Sequence, residues 1–233
     1  MKKTILLFIV SITLLACKKT NDSTNIIEEE TNLSSKDSLN ILTTPEVIAN
    51  KNGLESWAAV SEINFTFNVD RGESHFERSW TWNPKSNQVI ATSKTDTIHY
   101  NRNNLDSLLL STDAAFINDK YWLLAPFNLV WDTGFNYSEK ENIIAPISKD
   151  TLNKLTIVYN NEGGYTPGDA YDFYYGNDFI IREWTYRKGN DSLPSLITTW
   201  EDYQVFNELN IAKTHKDSTG NFKLYFTNIS VKK

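Results

Sequence analysis

The chain has 233 residues, 40% apolar and 22% charged, the balance of a globular chain rather than of a disordered or coiled-coil one. Its formal charge of −6 works against a nucleic-acid role driven by counterion release, and a single cysteine excludes a disulfide framework and a Cys-based zinc or iron–sulfur site. Seven Trp, 11 Tyr and 12 Phe against one Met favour strands, because aromatic side chains fit a pleated, half-buried surface.

The chain opens with Lys2 and Lys3, followed by a mostly apolar stretch of 13 residues, 4–16. At ~1.5 Å per residue a helix of that length spans roughly 20 Å, short of the ~30 Å hydrocarbon core of a bilayer. The pattern is that of a cleaved signal peptide. It ends in Leu14-Leu15-Ala16-Cys17, which resembles the lipobox of bacterial lipoproteins. That resemblance implies cleavage before Cys17, a diacylglycerol on its sulfur and an acyl group on its new amine. Three chains buried in one leaflet hold far more firmly than a single myristoyl group. An ordinary secretory leader with a chance cysteine, or an uncleaved anchor, is the other reading of these residues.

Loss of residues 1–16 removes two lysines, leaving 21 basic against 29 acidic side chains, a net −8. Residues 18–44 are rich in Asn, Ser, Thr and Glu and carry too little apolar surface to offset their ordering entropy. With Cys17 they form a flexible polar tether, reaching roughly 30 Å on average as a coil. Lys18-Lys19 resembles neither the aspartate of an inner-membrane retention signal nor the acidic tag of surface lipoproteins. The expected address is therefore the outer membrane, lipid-anchored and facing the periplasm.

The folded part is expected over 45–233 as one β-rich domain. Thr44 reads as an N-cap, with Pro45 at the first helical position and Glu46 in the first turn. Leu54, Trp57 and Ala58 keep helical spacing, although Gly53 interrupts. The period then falls to two. Ile63, Phe65, Phe67 and Val69 alternate with Glu62, Asn64, Thr66 and Asn68, and after the turn Asp70-Arg71-Gly72-Glu73 a return strand carries Phe76, Arg78, Trp80 and Trp82 on one face. Short strands follow at 88–92 and 95–100. From 103 to 116 the stripe Leu105, Leu108, Leu109, Thr112, Phe116 predicts a helix against a sheet. The run from Tyr121 to Phe127 is ambiguous between helix and strand. Further strands are expected near 128–132, 153–160, 170–175, 179–187, 195–203, 211–215 and 221–231, with turns at Gly176-Asn177-Asp178, 188–191 and 218–221.

An N-terminal helix, a run of antiparallel strands, a central helical excursion and more strands behind a lipobox resemble the LolA/LolB lipoprotein-carrier fold. Locally, 52–57 (NGLESW), 118–127 (NDKYWLLAPF) and 163–169 (GGYTPGD) are similar to uncharacterised lipoproteins of Bacteroidota-type bacteria. The carrier resemblance implies an α+β fold: a curved antiparallel sheet forming an unclosed β-barrel, with helices on its concave side and a hydrophobic cavity for acyl chains.

Chemistry has little to stand on. No Gly-x-Ser-x-Gly elbow occurs, and Cys17 is spent on lipid. His75, His99 and His215 have no local partner pattern. His75 and Glu77 share a strand face as two metal ligands do, but a site needs three or four. Gly163 and Gly168 have phosphate-loop spacing, yet Asp169 stands where lysine belongs and Pro167 removes a donor. Asp169, Asp172, Glu183, Glu201 and Asp202 offer carboxylates for an acid–base pair, or ordinary strand and turn residues. No catalytic residue, metal or cofactor is assigned.

The aromatic residues are the functional lead. Phe65, Phe67, Phe76, Arg78, Trp80, Trp82, Tyr121 and Trp122 are the candidate lining of a ligand cavity, or else the plain core between sheet and helix. Arg78 would meet a ligand headgroup or an acidic neighbour. Two functions remain: a non-enzymatic, membrane-anchored protein binding a lipid or other hydrophobic ligand, and a carbohydrate- or protein-binding lipoprotein with exposed Trp and Tyr as a stacking platform. The partners implied are the membrane, through Cys17, and an apolar small molecule, with no nucleic acid.

Overall fold

Among the described residues, regular structure begins at a helix cap. In the computed structural model, which describes residues 41–162 and 165–233, the Glu46 carboxylate accepts hydrogen bonds from the Thr43 backbone N–H (2.7 Å) and hydroxyl (2.8 Å). The cap is thus one residue earlier than expected, and helix α1 spans Thr44–Lys51 with Pro45 second. The leader, Cys17 and most of the tether lie outside the described residues. Helix α1 stops at Gly53, whose φ of 96° suits glycine, and where a Cβ would stand 2.1 Å from the Glu208 carbonyl oxygen. A 3₁₀ turn, Leu54–Ala59, then leads into the sheet.

Strands β1 (Glu62–Arg71) and β2 (Ser74–Asn83) form the expected hairpin, with Gly72 at φ 55° in the turn. Strands β3 (Gln88–Thr92) and β4 (Thr97–Asn101) continue the meander. Helix α2 follows over Leu110–Trp131, then β5 (Phe135–Ile144), β6 (Thr151–Tyr159), β7 (Ala170–Tyr175), β8 (Ile181–Arg187) and β9 (Leu196–Thr199). A small hairpin of β10 (Gln204–Phe206) and β11 (Leu209–Ile211) precedes β12 (Thr214–Lys216) and β13 (Phe222–Lys232).

All pairings are antiparallel, and they build a six-stranded sheet, β12-β13-β1-β2-β3-β4, and a five-stranded one, β5-β6-β7-β8-β9. The two run on from each other at the end of β9. There Glu201 bridges to Thr214, and the Lys216 N–H donates to Thr199 Oγ1 at 3.1 Å. The result is an α+β fold, a curved antiparallel ribbon with free edges at β4 and β5, and so an unclosed barrel.

Helix α2 occupies the concave side. Phe116 packs edge-on against Trp80 and Trp82 of the first sheet, at 5.3 and 5.6 Å between ring centres. One to two turns on, Tyr121 and Trp122 pack against Tyr171 and Trp184 of the second, at 5.3 and 4.4 Å. Residues Tyr121 to Leu129 are buried all round, as an enclosed helix must be. This settles the ambiguous run 121–127 as helix and corrects one expectation: the strand near 128–132 is the last turns of the same helix. Pro126 lacks the N–H that would bond back to Trp122, and the backbone departs from helical geometry at Leu124 (φ −125°, ψ 21°). Strand β5 was not foreseen. It is a sheet edge, mostly exposed on both faces, and its Ser-Glu-Lys-Glu centre shows no buried alternation to read.

Candidate functional site

The β1–β2 register sets the concave face. Ile63 stands opposite Trp82, Phe65 opposite Trp80, Phe67 opposite Arg78, Val69 opposite Phe76 and Arg71 opposite Ser74. Side chains alternate along a strand, so the six candidates on this hairpin share one face. Strand β13 adds Phe222, Leu224 and Phe226 beside them, in register with Arg71, Val69 and Phe67.

Burial divides that face in two. At the Trp82 end α2 and the turn at Trp57 close over it, and Phe65, Trp80, Trp82 and Tyr121 are core. Toward the hairpin tip the cover thins: Phe67 and Leu224 are still buried beneath Asn118 and Trp122 of α2, Val69 and Phe222 are half-buried, and Phe76 is 50% exposed. Here a cleft of about 420 Å³ opens, lined by Phe67, Val69, Phe76, Trp122, Leu196, Phe222 and Leu224, with Arg71, Ser74, His75 and Asn118 as its polar members. A second hollow of about 230 Å³ shares Asn118, Trp122 and Leu196 with it and continues past Tyr165, Tyr171, Trp184 and Tyr186. Both lie within the size range of small-molecule sites or just below it, ~300–1,000 Å³. A third, of about 240 Å³, lies between the start of α2 and β3–β4 and takes in Arg78 and Trp80.

Of the eight residues singled out from the sequence, the cleft thus gathers Phe67, Phe76 and Trp122. Sequence reasoning missed Val69, Phe222, Leu224 and Leu196 as lining residues. The alternation Phe222, Leu224, Phe226 was there to see, but which strand lies next to β1 is not a local property.

Arg78 has found an acidic neighbour. Its Nε and Nη2 donate to the two Asp119 carboxylate oxygens at 2.5 and 2.6 Å, and its guanidinium lies 5.5 and 5.3 Å from the centres of the Phe67 and Phe76 rings. Asp119 also accepts from Trp80 Nε1 at 2.8 Å and Asn118 Nδ2 at 3.0 Å. Burial pushes the Asp119 carboxyl up, and the donors around it oppose that push. Asn118 Oδ1 accepts from the Tyr165 hydroxyl at 3.1 Å, holding that ring flat on Tyr121 at 3.8 Å and 5°. Tyr165 thereby closes one side of the smaller hollow.

The remaining candidates are committed elsewhere. His75 binds Asp70 (2.7 Å) and Glu77 (3.4 Å), which hold its imidazole above its ordinary pKa. His215 is fully buried among Trp122, Trp200 and Phe226, and desolvation lowers its pKa to about 3. Its Nδ1 faces the Thr199 carbonyl oxygen at 3.2 Å, so the neutral ring carries its proton there. Asp169 accepts from the Tyr186 hydroxyl and the Gly189 N–H, and Asp172 pairs with Arg187. Glu183 accepts from the Ile147 and Ser148 N–H groups, Glu201 pairs with Lys216, and Asp202 accepts from Thr214. Each carboxylate fastens a turn or a strand. Among the described residues no group of three or more His, Cys, Asp or Glu side chains is placed to hold a metal.

The fold and site together define an open antiparallel half-barrel wrapped on a helix, with an apolar cleft at one end. No family model matches the sequence, and no curated protein matches it either. Solved structures of similar outline include a LolA superfamily protein from Nitrosomonas europaea, 11% identical over 82% of this chain and 95% of that one, with a TM-score of 0.47. A DUF1329 family protein from Desulfovibrio piger is 6% identical over 81% and 91% (TM-score 0.45). A domain described as an outer membrane lipoprotein-sorting protein, from Vibrio parahaemolyticus, is 8% identical over 79% and 90% (TM-score 0.44). Likeness at this level is distant, and the architecture stands on strand order and register.

Proposed function

We propose that this chain is a lipoprotein, anchored through Cys17 in the outer membrane and facing the periplasm, whose half-barrel binds a lipid or other hydrophobic ligand without transforming it. The observation that carries this reading is the open apolar end of the concave face, where Phe67, Val69, Phe76, Phe222 and Leu224 line the cleft. Apolar surface withdrawn there from water gains ~25 cal/mol per Å². The glycan-platform alternative needs an exposed aromatic row, whereas Trp80, Trp82, Trp184 and Trp200 are all buried.

The test is mass spectrometry of organic extracts from residues 41–233, one compact unit whose core runs from Ile48 to Val231, exported to a periplasm and purified without detergent. The reading expects a stoichiometric fatty acid or phospholipid. It expects Val69→Trp, a half-buried lining position where the larger ring projects into the cleft, to lose that ligand while keeping the fold. An empty extract from folded monomer that also takes up no added lipid overturns it.

A further inference from the structure

The cleft is apolar along its walls and cationic at its lip. Arg71 closes β1 on the concave face, opposite Ser74, and its guanidinium rests 5.3 Å from the centre of the Phe222 ring. Of the chain's five arginines, Arg78, Arg102, Arg182 and Arg187 each hold a carboxylate. Arg71 alone has no carboxylate partner among the described residues. The nearest acidic side chains in sequence, Asp70 and Glu77, are engaged with His75, and Glu73 stands out in the exposed turn. No Asp or Glu lines the cleft itself. In a chain with 29 acidic side chains, that leaves an uncompensated planar cation at the mouth of this apolar cleft.

A guanidinium so placed presents its fork of donors toward an anion, and carboxylate and phosphate match that fork in pairs. Ser74, across the hairpin, supplies a hydroxyl at the same level. A volume of about 420 Å³, near the low end of the ~300–1,000 Å³ range, suits one slender tail better than a multi-chain lipid. We propose that the ligand of this cleft is a single-chain amphiphile with an anionic head, its tail along Phe67 and Leu224 and its head on Arg71. This rests on the apolar-cleft reading above and adds to it the polarity and charge of the ligand.

The experiment compares palmitate, lysophosphatidate and hexadecanol on the chain from Lys18 onward, exported behind a cleavable leader and so free of attached lipid. Binding is followed by tryptophan fluorescence, in wild type, Arg71→Gln and Arg71→Lys. Wild type is expected to prefer an acid over the alcohol, with Arg71→Gln losing about tenfold or more of that acid's affinity, Arg71→Lys keeping part of it and hexadecanol unchanged. Whichever acid loses more identifies the head as carboxylate or phosphate. If Arg71→Gln binds both acids as wild type does while the alcohol still binds, the headgroup assignment is overturned and the apolar cleft stands. If none of the three binds, the apolar-cleft reading falls, and this inference with it.

Discussion

The two ends of the hairpin β1–β2 have the same sequence character and opposite fates. At one end Phe65, Trp80 and Trp82 face Phe116 and the turn at Trp57 and are sealed. At the other, the same face opens by degrees from buried Phe67 through half-buried Val69 to exposed Phe76, leaving a cleft between it and Trp122 of α2. An aromatic stripe on a strand is therefore neither core nor cavity by itself. The element across from it decides, and here that element is one buried helix pinned to the sheet by Asp119 and Arg78.

If the sealed end is core, its loss is a loss of fold. Trp80→Arg places a second cation beside Arg78 in a site with one carboxylate, and is expected to cost more than ~4 kcal/mol and yield little folded protein. A variant that folds normally but fails to retain lipid would move Trp80 from core to cavity wall. Asp119→Ala leaves Arg78 partly buried without its partner and should cost about 3 kcal/mol, read from the denaturant midpoint. Next in size is an acid effect. His215 has a pKa of about 3 in the fold against an ordinary 6.5, so the unfolded chain binds more protons between those values. Its contribution is whole above pH 6.5 and is lost as pH falls toward 3, by a few kcal/mol at ~1.4 kcal/mol per pH unit. In urea melts from pH 7 to 4, His215→Phe should show a shallower decline than wild type, and equal slopes would remove His215 from the account. Smallest in stability is the open end: Phe76→Ser is expected within about 0.5 kcal/mol of wild type, with its effect confined to ligand retention. A large loss of stability there would erase the contrast between the two ends.

Much of this was legible wherever structure is local. The alternation from Ile63 to Val69, the strand at 88–92 and the glycine turns at 72 and 220 all appear where the residue pattern puts them. Local rules also misled. Pro126 and an unbroken apolar run disguised α2, because an enclosed helix has no polar face to mark its period. Strand β5 went unread because an edge strand carrying Glu139, Lys140 and Glu141 buries almost nothing. The candidate site was only half visible for a different reason. Its aromatic residues could be seen, but the partner that ties Arg78 is 41 positions away and the strand that completes the cleft lies at the far end of the chain.

That far end governs the order of assembly. Strand β1 sits in the interior of its sheet, and one of its two neighbours is β13, with Asn64 bonded to Ser230 across 166 residues of chain. Strand β13 lies about 150 residues after β1, so the hairpin can form well before the strand that covers its other side is in place. So long a span makes closure slow, since loop entropy must be met before the ladder forms. Shortening the chain by its final eleven-residue strand would strip the partner from Glu62–Arg71 and leave a raw, apolar-flanked edge open to pairing with other molecules.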